Sequence, residues 1–378
     1  MQRQTPAGAP LDLKPLTAVR FFAALWVVLS HYWPDLKGAG AAPGLIANGQ
    51  LGVELFFVLS GFILPHVYLD AFGEGRFSFR GFLWARLARI YPLHIATLVA
   101  VGLMGGAALA LHQPMTHPVL YWPALPANLF LVNAWGLTAD AGWNHPAWSI
   151  SAEWFAYLSF PAFAAAAWAL RKRPVLAVAL AAALLVIIYP AFERFAGFKL
   201  TDATIAWGAL RIVPCFAFGC AMNLMWRSRA IRTRTGAIAT SLSFLAISIG
   251  LAAVSAPPAA IVAAFGVLIL GLASLTSTGS RLFSHPVGVY LGEVSYAIYM
   301  VAIPWKILVM SGAGKLLHLG QSGLPWPLWA AYLLGVIPVA MLAHHLVERP
   351  ARTAMRRWAA RPSAGVPAGF TSAGAPAA

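Results

Sequence analysis

Arg20 and His31 stand eleven residues apart in the apolar stretch VRFFAALWVVLSHYW. Eleven residues at ~100° each make about three helical turns, so both side chains fall on one face, roughly 16 Å apart along the axis. Ionisable groups inside an apolar helix are expensive and mark functional positions. An arginine and a histidine stacked on one face point to a polar passage, with the histidine suited to proton transfer. Arg86 and Arg89 are spaced i, i+3 in FLWARLARIYPLH and project together. Two guanidinium groups there offer bidentate donors to a phosphate-bearing ligand, although arginines at a membrane boundary are also ordinary topology signals. Glu153 lies about one turn into the helix read from NHPAWSISAEWFAY, where the helix dipole favours an acid. It falls near the depth of His31, and the pair can serve as a base and its orienting carboxylate. Glu54, in GQLGVELFFVLSGF, is expected to be a carboxylate wetted at the interface. Ser149 and Ser151 are expected to be caps or helix-contact hydroxyls.

Positioning such groups requires a membrane scaffold. Hydrophobic residues make up 60% of the 378, charged residues 10%, and the mean hydropathy is +0.74, the profile of a polytopic membrane protein. Ten segments are long and apolar enough to cross ~30 Å of hydrocarbon, near 16–34, 50–70, 90–111, 147–169, 174–192, 203–226, 236–256, 258–278, 287–310 and 327–347. The formal charge of +15 has a topological reading rather than a nucleic-acid one. With the N-terminus inside, nineteen of the 26 Lys and Arg residues fall in cytoplasmic segments, four in outer ones and three within spans. This predicts an all-α membrane protein with about ten transmembrane helices and both termini cytoplasmic. Residues 1–13 are then a cytoplasmic N-terminal segment, and residues 353–378 a basic and then disordered cytoplasmic tail. The 112–146 stretch, with no Lys or Arg and an aromatic, proline-broken middle, reads as an interfacial or re-entrant lid over the outer mouth. Cys215 and Cys220 are five apart in one apolar span, too close for a structural disulfide.

The order of these motifs resembles acyltransferase family 3. It runs from Arg20 and His31 through GVELFFVLSGF, Arg86-Leu-Ala-Arg89 with Pro92, Trp148-Ser149 with Glu153, and Ser295-Tyr296-Ala-Ile-Tyr299 to Glu348-Arg-Pro350. The resemblance implies a membrane acyltransferase domain over residues 14–352. It implies transfer of an acyl group, usually acetyl, from cytoplasmic acyl-CoA to a hydroxyl. The acceptor would be a cell-surface or exported glycan, or in some members an antibiotic. By the same resemblance His31 matches the catalytic histidine, Arg20 its partner, and Arg86 and Arg89 the arginines associated with acyl-CoA. Ala302 stands where many members carry a second histidine.

The expected protein is therefore a bacterial inner-membrane O-acetyltransferase. Acyl-CoA is its donor substrate, membrane lipid its surroundings, and nucleic acid is not a partner. No metal site and no tightly bound cofactor are expected. A secondary transporter or flippase for a glycan-lipid or small polar substrate explains the buried ionisable groups equally well. It calls for inverted repeats, which the sequence does not display.

Overall fold

The computed structural model describes residues 13–112, 119–275, 284–313 and 323–359. The expected N-terminal segment through residue 12, the low-complexity tail, and Arg281 and Lys315 of the charge count lie outside the described residues. Among the described residues the regular structure is helical, with one isolated parallel bridge between Leu36 and Leu324. The longer helices are α1 (Lys14–Tyr32), α2 (Gly52–Gly73), α3 (Phe79–Ala110), α4 (Ala147–Leu158), α5 (Phe160–Ala169) and α6 (Pro174–Ala196). They continue with α7 (Gly208–Arg227), α8 (Arg234–Ala253), α9 (Pro258–Ser274), α10 (Pro286–Ile307) and α11 (Trp326–Ala343). A π-type turn at His344–Glu348 then leads into α12 (Arg349–Ala359).

Eight of the described spans are long and apolar enough to cross a membrane, where the sequence predicted ten. The other two expected spans differ for local reasons. The 147–169 segment breaks at Ser159 into α4 and α5. Pro161 has no N–H to give, and its ring crowds the carbonyl four residues back. Helix α9 starts at Pro258, where the expected span does, but ends at Ser274, giving 17 residues and about 26 Å of rise; residues 276–283 lie outside the described residues. Helix α3 departs in the other direction. The sequence begins the third span near residue 90, whereas the helix starts at Phe79, capped by Ser78 Oγ accepting from Gly81 N. Its 32 residues rise about 48 Å, and its first turns carry Arg80, Arg86 and Arg89 on rigid helix rather than loop.

The bundle has a basic end and an opposite end. At the basic end Arg227 Nη1, closing α7, pairs with Asp70 of α2 at 2.8 Å, and Trp84 Nε1 of α3 donates to Met355 O of α12 at 2.9 Å. At the opposite end Lys306 Nζ of α10 pairs with Asp35 beyond α1 at 2.8 Å, and Gln50 Nε2 donates to Asp202 Oδ1 at 2.9 Å. The central crossing of α2 on α7 is made backbone to backbone. A Cβ at Gly219 would sit 2.8 Å from Phe62 N, so only glycine permits the approach.

That crossing also holds the largest departure from the expected site. Glu54 is not wetted at an interface but fully buried, with Oε1 2.5 Å from Nε of the equally buried Arg211 on α7. Arg211 Nη1 donates to Ala203 O at 3.0 Å, and its guanidinium lies 4.5 Å over the Trp148 ring. A carboxylate survives in an apolar bundle only when paired and hydrogen-bonded, and a partner 157 residues away supplies both.

Candidate functional site

Four of the five expected site residues converge near the basic end. Arg20 from α1, Arg86 and Arg89 from α3, and Glu153 from α4 line one cavity of about 260 Å³. Ser60 of α2, Ser149 and Tyr157 of α4, Ser295, Tyr296 and Tyr299 of α10, and Arg356 add polar groups to its wall. Glu153 Oε1 accepts from Ser60 Oγ at 2.7 Å and from Tyr157 Oη at 2.6 Å, which fixes the carboxylate. Tyr296 Oη donates to Ile90 O at 2.5 Å, tying α10 to the helix that carries the arginine pair.

Arg20 and Arg86 lie against rings rather than acids. Arg20 lies 5.8 Å over Phe56, and Arg86 lies 5.9 Å over Tyr68 and 6.0 Å over Tyr157. Among the described residues none of Arg20, Arg86 and Arg89 has a carboxylate within 4.0 Å. Arg86 Nε is buried without a protein hydrogen-bond partner. A buried donor left open beside two further guanidinium groups suits an anion brought in from outside. Glu348, buried in the π-type turn and bonded to His344 Nδ1 at 2.8 Å, is within electrostatic reach of Arg20 and sets a limit to this positive field. Single π-turns within α-helices recur at functional sites.

His31 stands apart from that cluster. It lines a second cavity of about 200 Å³ towards the opposite end, with His145, Gln50, Asp202 and Arg211. The expected partnership of Glu153 with His31 is not the arrangement observed. Glu153 is engaged by Ser60 and Tyr157 in the other cavity, which α4 lines with Ser149, Ile150, Glu153 and Tyr157. The backbone carbonyl of Val27, 2.9 Å from His31 Nδ1, orients the imidazole instead. The assignment that satisfies this contact puts the proton on Nδ1 and leaves the Nε2 lone pair open. Lys306 Nζ donates to His31 O at 3.0 Å, so the turn behind the imidazole is also pinned.

Val53 and Tyr299 line both cavities, so the two share a wall. The predicted alignment of Arg20 and His31 on one face of α1 is present in this form: one residue in each of two chambers in series. Ala302 lines the chamber of His31, and its carbonyl accepts from Tyr32 Oη at 2.6 Å. Ser151 Oγ accepts from Ala134 N at 3.0 Å and Ser149 Oγ donates to Pro146 O at 3.1 Å, both as structural hydroxyls.

Sequence reasoning missed His145. In the described part of the expected lid, residues 119–146, Trp122, Phe130 and Leu137 are exposed while Leu131, Asn133, Trp143 and Asn144 are buried. Asn144 Nδ2 donates to Met300 O and to Thr97 Oγ1, both at 3.0 Å, and thereby delivers the next residue to the His31 chamber. Burial and the nearby His31 lower the pKa of His145 below the usual histidine value, keeping it neutral at pH 7. A histidine directly ahead of a helix, in an aromatic loop without cations, was the available signal. Arg211 had one too, as an arginine within an apolar span. No group of three or more His, Cys, Asp or Glu side chains among the described residues could hold a metal ion.

The chain is 31% identical over 375 residues to "Acyltransferase MdmB" of Streptomyces mycarofaciens, covering 89% of this chain and 91% of that protein. It is 26% identical over 357 residues to "Nodulation protein 10" of Rhizobium leguminosarum bv. viciae, covering 88% and 91%. A third relative, "Protein 2 in picA locus" of Rhizobium radiobacter, is 31% identical over 186 residues, covering 46% of this chain. No solved structure matches the chain. The family model described as an acyltransferase domain matches residues 14–345, nearly the whole helical bundle. The chain, a multi-pass membrane protein by its apolar helices, belongs to acyltransferase family 3.

Proposed function

We propose that the protein is a membrane O-acyltransferase that takes an acyl group, acetyl in the simplest case, from acyl-CoA at the basic end. The acceptor is a hydroxyl, of a glycan or another exported compound, at the opposite end. The observation that carries this reading is the pair of chambers sharing Val53 and Tyr299, with guanidinium groups in one and an imidazole in the other. The arginine chamber has the chemistry of a phosphate cradle. The acyl-pantetheine arm, uncharged and thin, is the part of the donor fit to pass between Val53 and Tyr299.

In the second chamber His31 Nε2 takes the proton of the acceptor hydroxyl as its oxygen attacks the thioester carbonyl carbon. The C–O bond forms, the C–S bond breaks, and the imidazolium returns the proton to the leaving thiolate. Neutral His145 is placed to donate a hydrogen bond to the acceptor or to the developing oxyanion. The Gln50–Asp202 pair offers further polar contacts to a hydroxylated acceptor.

Two predictions arise here. Arg86→Ala and Arg89→Ala should each weaken acetyl-CoA binding to the purified protein about tenfold or more, with Arg→Lys a poor substitute because lysine lacks the bidentate fork. Wild-type protein should cleave acetyl-CoA to free thiol in the presence of acceptor. Undiminished CoA affinity in both alanine variants would remove the phosphate cradle. The second concerns orientation. The positive-inside rule assigns the basic end to the cytoplasm, and the bacterial inner membrane is the compartment that fits a cytoplasmic donor. A single cysteine introduced at Asp140 should react with an impermeant maleimide in intact cells, and one at Lys172 only after lysis. The reverse pattern would invert the model.

A further inference from the structure

Helix α12 begins after residue 345, where the family match ends, yet it is built into the mouth of the arginine chamber. Trp84 Nε1 donates to Met355 O at 2.9 Å, and the Trp84 and Trp358 rings lie 5.0 Å apart at 39°. Arg352 Nη1 reaches back to Glu348 Oε1 at 3.5 Å. These contacts clamp α12 against the first turns of α3. The consequence is that Arg356 lines the same cavity as Arg20, Arg86 and Arg89, while its neighbour Arg357 faces a separate recess beside Trp84. Arg356 is exposed at the rim, whereas Arg20, Arg86 and Arg89 are partly buried.

We propose that Arg356 is a specificity-determining residue of the donor site, which binds the ribose 3′-phosphate of coenzyme A. This rests on the reading of acyl-CoA as the donor. The argument is one of order. A linear donor that enters acyl end first lays its anionic groups down in the order of its covalent structure. The pyrophosphate follows the pantetheine arm inwards to the arginine pair of α3. The ribose 3′-phosphate comes last and stops at the rim, where Arg356 is the guanidinium the tail helix supplies. A monoester phosphate presents three acceptor oxygens, which a planar guanidinium meets in bidentate fashion. Trp84 and Trp358 are then positioning residues, acting through the placement of α12.

The test compares CoA with dephospho-CoA, which differs only by that phosphate, binding to the full-length purified protein by calorimetry. Wild-type protein should prefer CoA. Arg356→Ala should weaken CoA binding about tenfold and leave dephospho-CoA affinity unchanged, so that the preference collapses. Arg356→Lys should keep an intermediate preference. Arg357→Ala removes the same charge from the same helix and should keep the full preference. Equal loss for both ligands in Arg356→Ala, no loss for either, or an Arg357→Ala effect as large as that of Arg356→Ala would each overturn the assignment. Wild-type protein that binds neither ligand would refute the donor reading itself. Wild-type protein that binds both equally would overturn only the role of Arg356. Melting temperature and elution volume of each variant identify any loss that is one of folding.

Discussion

Replacing His31 with glutamine should lower kcat for acyl transfer about 10²-fold or more while leaving CoA affinity unchanged. Glutamine retains hydrogen bonding and approximate volume but cannot accept the hydroxyl proton. CoA affinity is the informative control, because the guanidinium groups that would hold the donor lie in the other chamber, beyond Val53 and Tyr299. Glu153→Gln should behave in the opposite sense. Its carboxylate is bonded to Ser60 and Tyr157 among the arginines, so its loss should move the donor KM more than kcat. Steady-state kinetics with acetyl-CoA and a hydroxyl acceptor separate the two. Near-normal kcat in His31→Gln would take His31 out of proton transfer. His145 would then be the remaining imidazole in the chamber.

The second large effect is on stability. Either Glu54→Ala or Arg211→Ala leaves one full charge buried where α2 crosses α7, and a broken buried pair costs about 3–5 kcal/mol. Both single variants should melt well below wild type in detergent, followed by tryptophan fluorescence. The double variant Glu54→Leu with Arg211→Met should recover much of the loss, since an apolar pair leaves no unpaired charge. A single variant that melts with wild type, or a double variant worse than the sum of the singles, would show that the pair does not hold the crossing. Arg211 also lines the His31 chamber, so the stability readout must be taken apart from activity.

Much of this architecture is legible in the sequence, for reasons that are local. Length and hydropathy reveal apolar helices because desolvating an unsatisfied backbone leaves few alternatives. Arg20, Arg86 and Arg89 stand out because a charge beside hydrocarbon needs a reason. What escapes is whatever depends on a distant partner. Nothing near Glu54 announces Arg211, so an interface carboxylate and a buried ion pair look alike in sequence. Distance to the helix ends puts Glu153 and His31 at one depth. Glu153 instead accepts from Ser60, 93 positions earlier on α2, a partner that nothing near either residue announces. The Trp84 and Trp358 rings meet at a tilt although 274 positions separate them, so a tail that reads as merely basic closes over a cavity.

The wall that the two chambers share has an energetic implication. In the proposed reaction the uncharged acyl-pantetheine arm reaches past Val53 and Tyr299 and withdraws, so the net outward movement is that of an acyl group. The proton taken from the acceptor hydroxyl leaves on sulfur, as a neutral thiol drawing back the way the thioester came. The phosphates never enter the electric field beyond the arginines. Each turnover is therefore electroneutral. A transmembrane potential worth about 2.3 kcal/mol per elementary charge at 100 mV has nothing to act on. The direction of flow is set by the chemical potential of the thioester alone, and a de-energised vesicle supplied with acyl-CoA on the correct side should modify its acceptor as fast as an energised one.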